Sequence, residues 1–322
     1  MRKHLAATIV ASLLTPFAAA QQTPYPSKLV RMIASQAPGG GIDSLCRIVA
    51  PKLSEALGQS VVVENRAGAN GSVAAEITAK SPPDGYTIML GAVGNLGTNT
   101  IFYKKLGYDP LRDLAPVTSA ILSGNVVVVH PSMPVRNIRE LIALAKKKPN
   151  ALAYGTSGTG GSGHLAGALF RRMTNTELLH VPYKGGGPAM VDLVAGQTQV
   201  GFASQPSAVT FIRDGRLRAL AVTTSHRSKI FLDLPTVAES GVPGYESHAW
   251  YGFVVPAKTP QAIVTRLNTE IVRILNTSDV SQAVAAQGLE VWTMTPDAFG
   301  AFIKSEAEKW TRVIRDIGAN ET

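Results

Sequence analysis

Four glycine-rich stretches hold the residues of this chain best suited to chemistry: 38–41, 91–97 with Gly94 in its middle, 155–163, and 184–187. Each follows or lies beside an apolar run of strand character, and most lead into a helical pattern. Glycine lets the backbone come close to a ligand and adopt left-handed angles. A helix beginning there offers unpaired N–H groups and the positive end of its dipole. The partner such turns suit is an anion. A hydrogen bond to a charged group contributes about 1.5–3 kcal/mol, and micromolar binding takes about 8 kcal/mol, so a handful of such bonds suffices. One glycine turn alone only joins a strand to a helix; four that converge imply a site.

The side chains around these turns exclude most enzyme chemistries. Ser157 is a hydroxyl donor or a plain loop residue: the run Gly155-Thr156-Ser157-Gly158-Thr159 lacks the second glycine of a nucleophile elbow, and no Asp and His are committed to it. His164 can donate to a carboxylate from the first turn of its helix, or merely cap it. Asp43 lies in a first helical turn, where a carboxylate complements the dipole whether or not it meets ligand. Lys184 is a point charge for a carboxylate or a solvated lysine. Trp250 and Tyr251 wall a cleft or pack a hinge, and Cys46 falls on an apolar helix face. Residues 158–163 match G-x-G-x-x-G, but the next strand ends His180-Val181-Pro182, without the acidic residue a dinucleotide ribose requires; Glu177 precedes it. His130, His180, His226 and His248 show no metal-ligand spacing. No catalytic set, no metal and no cofactor is expected.

The ends of the chain say where it works. Met1-Arg2-Lys3-His4, an apolar stretch over 5–17 and Ala18-Ala19-Ala20 are the three parts of a secretory signal peptide, with cleavage expected after Ala20. That stretch is shorter than the about 20 apolar residues a membrane span needs. No cysteine follows the break to carry a lipid anchor, and an unanchored exported protein is retained behind an outer membrane, so a periplasmic location is expected. The single cysteine excludes a disulfide framework. Lys and Arg exceed Asp and Glu by nine, and removing Arg2 and Lys3 leaves seven. The cations are scattered, without a basic groove interleaved with aromatics, so nucleic acid is not an expected partner; a mild preference for anions is. A monomer without membrane insertion is expected.

The elements that must position the turns alternate between strand and helix, the pattern of parallel α/β layers. Strands are expected at 29–35, 61–63 and 86–90 and again at 152–154, 178–181, 200–202 and 217–222. Helices fall between them: one carries Ile42, Leu45, Val49, Leu53 and Leu57 on one face, kinks at Pro51 and stops at Gly58, and another begins at Pro188. Two further apolar runs, 126–129 and 251–255, each end at a proline. If the chain leaves one lobe along the first run and returns along the second, two strands form a hinge. The expected division is 21–126 plus 254–322 for the first lobe and 127–253 for the second.

The stretches Tyr25-Pro26-Ser27-Lys28, Pro38-Gly39-Gly40-Gly41-Ile42-Asp43, Val61-Val62-Val63-Glu64-Asn65-Arg66, Pro83-Asp84-Gly85-Tyr86-Thr87 and Tyr108-Asp109-Pro110 follow one another in a characteristic order. His180-Val181-Pro182-Tyr183-Lys184-Gly185, Leu217-Arg218-Ala219-Leu220-Ala221-Val222-Thr223, Asp233-Leu234-Pro235-Thr236-Val237-Ala238-Glu239 and Gly241-Val242-Pro243-Gly244-Tyr245-Glu246 continue it. The chain resembles the substrate-binding receptors of the tripartite tricarboxylate transporters, the Bug family, over its whole length after the signal peptide. The resemblance implies a two-lobed type II periplasmic-binding-protein fold that closes like a Venus flytrap. It also implies a small carboxylate ligand, no enzyme activity, and delivery to a two-subunit inner-membrane permease. Carried over, the ligand contacts are Pro38, Gly39, Gly40 and Asp43 from one lobe, and Ser157, Thr159, His164, Tyr183 and Lys184 from the other. Two positions depart from the pattern: Gln36 stands where many relatives have an aromatic residue, and Ala203 where some have an acid. Without a carboxylate at 203 an amine has no partner, so a di- or tricarboxylate or an aromatic acid is the expected ligand. Two alternatives stay open: a periplasmic sensing partner of a membrane signalling protein, and an exported hydrolase using Ser157, Lys184 or Asp43.

Overall fold

The computed structural model describes residues 25–316; the expected signal peptide lies outside the described residues. The first lobe opens with β1 (Val30–Ala34), α1 (Gly41–Leu57), β2 (Val61–Asn65), α2 (Ser72–Ala79) and β3 (Thr87–Ala92). β1 pairs in parallel with β2 and β3, the arrangement that helical crossovers impose. Ile42, Leu45, Val49, Leu53 and Leu57 of α1 are all buried against the sheet. The helix runs through Pro51 and ends at Gly58, whose φ of 68° only glycine adopts without strain. β3 leads through a π-helical turn at Gly94–Thr98 into the short α3 (Asn99–Phe102).

The next strand joins the two halves. β4 (Leu114–Val129) is 16 residues long. Its first part, to Gly124, pairs antiparallel with β9 (His248–Pro256), and from Asn125 onward it pairs with β7 (Val200–Ser204) and β8 (Arg218–Val222) of the second half. Val127 and Val129 pack into one core of that half and Val126 and Val128 into another, the two-faced burial that a continuous valine run signals. Between β4 and β9 come α4 (Ile138–Lys147), β5 (Ala153–Thr156), α5 (Ser162–Thr174), β6 (Leu179–Pro182), α6 (Gly186–Val194), β7, α7 (Gln205–Arg213) and β8. β5 pairs in parallel with β6 and β7. α6 starts two residues before the expected Pro188, which becomes its third residue; the first four N–H groups of a helix lack intrahelical partners, so the proline still removes no bond.

The return to the first half happens earlier than the apolar run 251–255 suggests. Residues 248–253, placed with the second lobe by the sequence reading, pair with β3 and β4 in the first sheet, His248 opposite Gly124 and Trp250 opposite Leu122. The crossing itself is at Ser247, whose N–H donates to the carbonyl of Thr223 at 2.9 Å. α8 (Gln261–Leu275), α9 (Ser278–Ala285), β10 (Glu290–Val291) and α10 (Pro296–Asp316) then pack on the first half, burying Leu267 and Ile271 on one face of its sheet and Phe299 and Trp310 on the other.

Candidate ligand-binding cleft

Between the two sheets lies a cleft of about 540 Å³, measured out to the solvent at its mouth. The first half contributes Gln36, Asn70, Ala92, Val93, Gly94, Trp250 and Tyr251; β4 contributes Asn125; the second half contributes the end of β5 with the turn that follows it, α6 residues and the end of β7. In open parallel α/β sheets this is where the strands end and the helices begin, and where ligands bind.

The second half aims helix N-termini at the cleft. Gly161 caps α5, and Ser162 and Gly163 form its first turn; Gly186 opens α6 and Ser204 caps α7. The N–H groups of such first turns have no partner within their own helix. Gly163 is glycine for a reason: a Cβ there would collide with the carbonyl of Phe202. Gly160, at φ 80°, lets the turn fold back so that its N–H donates to His164 Nδ1 at 3.1 Å. Thr156 at the base of the turn is held by His180, Oγ1 to Nε2 at 2.7 Å.

No Lys, Arg, Asp, Glu or His lines the cleft among the described residues. Its polar surface consists of backbone groups, the amides of Gln36, Asn70 and Asn125, the hydroxyls of Thr156, Ser157, Ser162 and Ser204, and Tyr251. Burial pushes the Tyr251 phenol up to about 12, with a lowering contribution from Ser204, so it stays a neutral hydroxyl at neutral pH. Fixed dipoles and neutral donors in a site largely shielded from water attract negative charge with little reorganisation.

The halves touch around the cleft. Thr98 Oγ1 donates to the Gly160 carbonyl at 2.7 Å, and the Phe102 ring meets the His164 ring edge-on at 5.1 Å. The first glycine turn faces the turn at 184–187: a Cβ on Gly187 would lie 3.4 Å from the Pro38 carbonyl, and one on Gly185 3.4 Å from the Ala37 side chain. Asn70, at φ 50°, lies against Gly158 and Gly161 and donates to Asn99 Oδ1 at 2.9 Å. A non-glycine residue in that region is uncommon.

Of the residues expected at the site, Gly94, Ser157 and Ala203 line the cleft; Pro38, Gly39, Gly40, Asp43, Thr159, His164, Tyr183 and Lys184 do not. Asp43 points back at its own loop. Its carboxylate accepts from the Gly39 N–H at 3.1 Å, from Asn65 Nδ2 at 2.9 Å and from Arg47 Nε at 3.0 Å. Burial raises its pKa, but the bonds from Arg47, Asn65 and Gly39 outweigh it and hold the carboxyl below its ordinary value. Asp43 thus shapes the glycine turn. His164 is buried, its ring stacked on His180 with centroids 4.2 Å apart. Tyr183 Oη donates to Asp192 Oδ2 at 2.7 Å, and Lys184 is exposed. Trp250 lines the cleft, and its indole N–H donates away from it to buried Glu306 of α10 at 3.2 Å, within the first half.

Sequence reading passed over Asn70 and Asn125. For Asn70 the signal was the Asn70-Gly71 dipeptide, a turn marker; for Asn125 it was one polar residue at the head of the valine run. A second depression, about 810 Å³ with the open solvent at its mouth included, lies along 122–124 beside α9 and β10, where Arg227 pairs with Glu239 at 3.0 Å and Lys229 with Glu290 at 3.3 Å. No group of at least three His, Cys, Asp or Glu is placed to hold a metal, and no helix is long and apolar enough to cross a membrane, among the described residues.

Two sheets bridged by β4, with helix N-termini converging on the gap, define a periplasmic-binding-protein fold. R. palustris Rpa4515, solved with adipate, superposes with a TM-score of 0.89 at 37% identity, covering 91% of this chain and 98% of that one. MatC of Rhodopseudomonas palustris, solved with bound malate, superposes with a TM-score of 0.86 at 29% identity, over 90% and 100% of the respective chains. Protein BugT of Bordetella pertussis is 37% identical over 296 residues, 92% of this chain and 91% of its own. The family model described as "Tripartite tricarboxylate transporter family receptor" matches residues 45–319. The chain belongs to that family, one of periplasmic solute-binding receptors rather than enzymes.

Proposed function

We propose that this protein is exported to the periplasm, captures a small carboxylate without an amino group between its two halves, closes on it about the β4 crossing, and delivers it to a two-subunit membrane permease. The observation that carries this reading is the make-up of the cleft: helix N-termini and neutral donors, no charged side chain, and Ala203 where an acid would receive an amine. The adipate and malate in the two similar structures agree with it, and family membership supports the permease as destination. The cleft hydroxyl that meets an imidazole is that of Thr156, and burial lowers the pKa of its partner His180 to about 3, too weak a base to activate it, so the reading is a binding protein and not a hydrolase. Isothermal calorimetry with adipate, malate, citrate and benzoate beside aspartate and glutamate is the test. Binding of one or more plain acids, with the amino acids far weaker, is the expected result; tight binding of aspartate or glutamate and none of the plain acids overturns it.

A further inference from the structure

Resting on that reading, we propose that Asn125 is a specificity-determining residue of the cleft, its side-chain amide donating to the same ligand carboxylate that the N-terminus of α5 receives. Asn125 is fully buried, lines the cleft, and its Nδ2 has no hydrogen-bond partner among the described residues. A buried amide N–H is costly to leave unpaired, and buried side-chain polar atoms are nearly always satisfied. The other end of the amide is occupied: Ser162 Oγ, in the first turn of α5, donates to Asn125 Oδ1 at 3.3 Å. That contact leaves the NH₂ group, with its two donors, facing the cleft beside the free amides of the helix. Both features favour a negatively charged partner.

The backbone explains why the residue sits there. Asn125 is the first residue of β4 to pair with the second half, opposite Ser204, which itself lines the cleft. Its N–H donates to Thr223 Oγ1 at 2.8 Å and its carbonyl accepts from the Thr223 N–H at 2.9 Å. The side chain is therefore fixed at the crossing between the sheets. A contact made there belongs to the second half and precedes closure, whereas the contacts of Asn70 across the cleft need the two halves together.

The test compares wild type with Asn125→Ala and Asn125→Asp by calorimetry against adipate, malate and citrate, with thermal melts as the control for folding. The Thr223 bonds to the main chain survive both substitutions. Loss of one donor to a charged group is expected to weaken the bound acids about 10- to 100-fold in Asn125→Ala. Asn125→Asp, nearly the same shape, is expected to lose more at pH 8 and to regain affinity as the pH is lowered toward 5.5, since only a protonated carboxyl donates. Tyr251 is the one titratable group lining the cleft among the described residues, and the acids themselves take up protons toward pH 5.5, so the recovery is read as the ratio of variant to wild-type affinity at each pH. A residue that merely shapes the strand would show no such recovery. Affinities matching wild type in both variants overturn the assignment and leave the receptor reading standing; an aspartate that binds as well as asparagine at pH 8 shows an acceptor and also overturns it. Failure of wild type to bind any of these three acids or benzoate sinks the receptor reading and this role with it.

Discussion

Thr98 Oγ1 lies 2.7 Å from the carbonyl oxygen of Gly160, a hydrogen bond between the π-helical turn after β3 and the turn that leads into α5. Thr98 is fully buried, so the bond is shielded from water. It joins the halves directly and is made only when they are together. Replacing Thr98 by Val keeps the shape and removes the donor. A neutral hydrogen bond contributes about 1 kcal/mol, equivalent to about fivefold in a binding constant. Thr98→Val is therefore expected to lower ligand affinity about fivefold by making closure less favourable, with a more open unliganded form in small-angle scattering. Unchanged affinity and unchanged scattering would remove this bond from the closure step.

His180 predicts a pH dependence of stability. Its ring stacks between His164 and Tyr154, at 4.2 and 5.0 Å, and burial foremost, then electrostatic coupling to His164 and the positive charge of Arg171, lower its pKa to about 3. In the unfolded chain a histidine titrates near 6.5. Between those values the unfolded chain binds a proton that the native state does not, so stability falls as the pH drops from about 6.5 toward 3, with a slope of at most about 1.4 kcal/mol per pH unit. Glu64, held at about 2 first by Arg31 and then by Arg66 against its burial, contributes stability above its unfolded value near 4.3 and loses it only below that. The window from 6.5 to 4.5 consequently lies above Glu64 and reports on the histidines. Urea midpoints over this window should decline in wild type and decline less steeply in His180→Gln; equal slopes would show that another group is responsible.

Asp43 organises the first glycine turn through its bonds to Gly39, Asn65 and Arg47. Asp43→Asn removes the charge that receives bonds from Gly39, Asn65 and Arg47. Because the native carboxyl is held below its ordinary value, its contribution is full above about 4 and lost as the pH falls through the lowered native value. Unfolding free energy at pH 7 is expected to drop by about 1–3 kcal/mol, with the difference from wild type shrinking toward pH 3. A variant as stable as wild type at pH 7 would show that the turn is held by other bonds.

What the sequence disclosed follows from how local each signal is. Helix α1 was legible from five apolar positions and Gly58, because a 3.6-residue period and a left-handed stop are written in neighbouring residues. The strand-turn-helix order was legible for the same reason. The role of β4 needed its partners: nothing within 114–129 says that pairing changes from β9 to β7 at Asn125. The return strand was read too late because His248, Ala249 and Trp250 do not continue an apolar run, although they pair as firmly as Tyr251. Of the site, the glycine turns were visible as types, but their side chains were not. Asp43 and Tyr183 turned out to satisfy Gly39 and Asp192, and His164 to receive the Gly160 N–H, long-range or loop-closing choices that spacing alone does not encode.

Ala203 makes the sharpest statement about ligand class. It lies opposite Val126 on β7, one residue before the Ser204 cap of α7, and lines the cleft with no polar atom of its own side chain. An aspartate placed there would add a negative charge to a cleft that otherwise contains none among the described residues, close to the helix N-termini proposed to receive the ligand carboxylate. Like charges in a site shielded from water repel strongly, by several kcal/mol when neither is neutralised. Ala203→Asp is therefore expected to weaken adipate, malate and citrate by at least about 100-fold, and to narrow or reverse their advantage over aspartate and glutamate, whose ammonium group gains a partner. Calorimetry on the variant with the same panel measures both changes. Retention of the plain acids at wild-type affinity would mean that position 203 lies away from the bound carboxylate, and that the absence of an acid there does not select against amines.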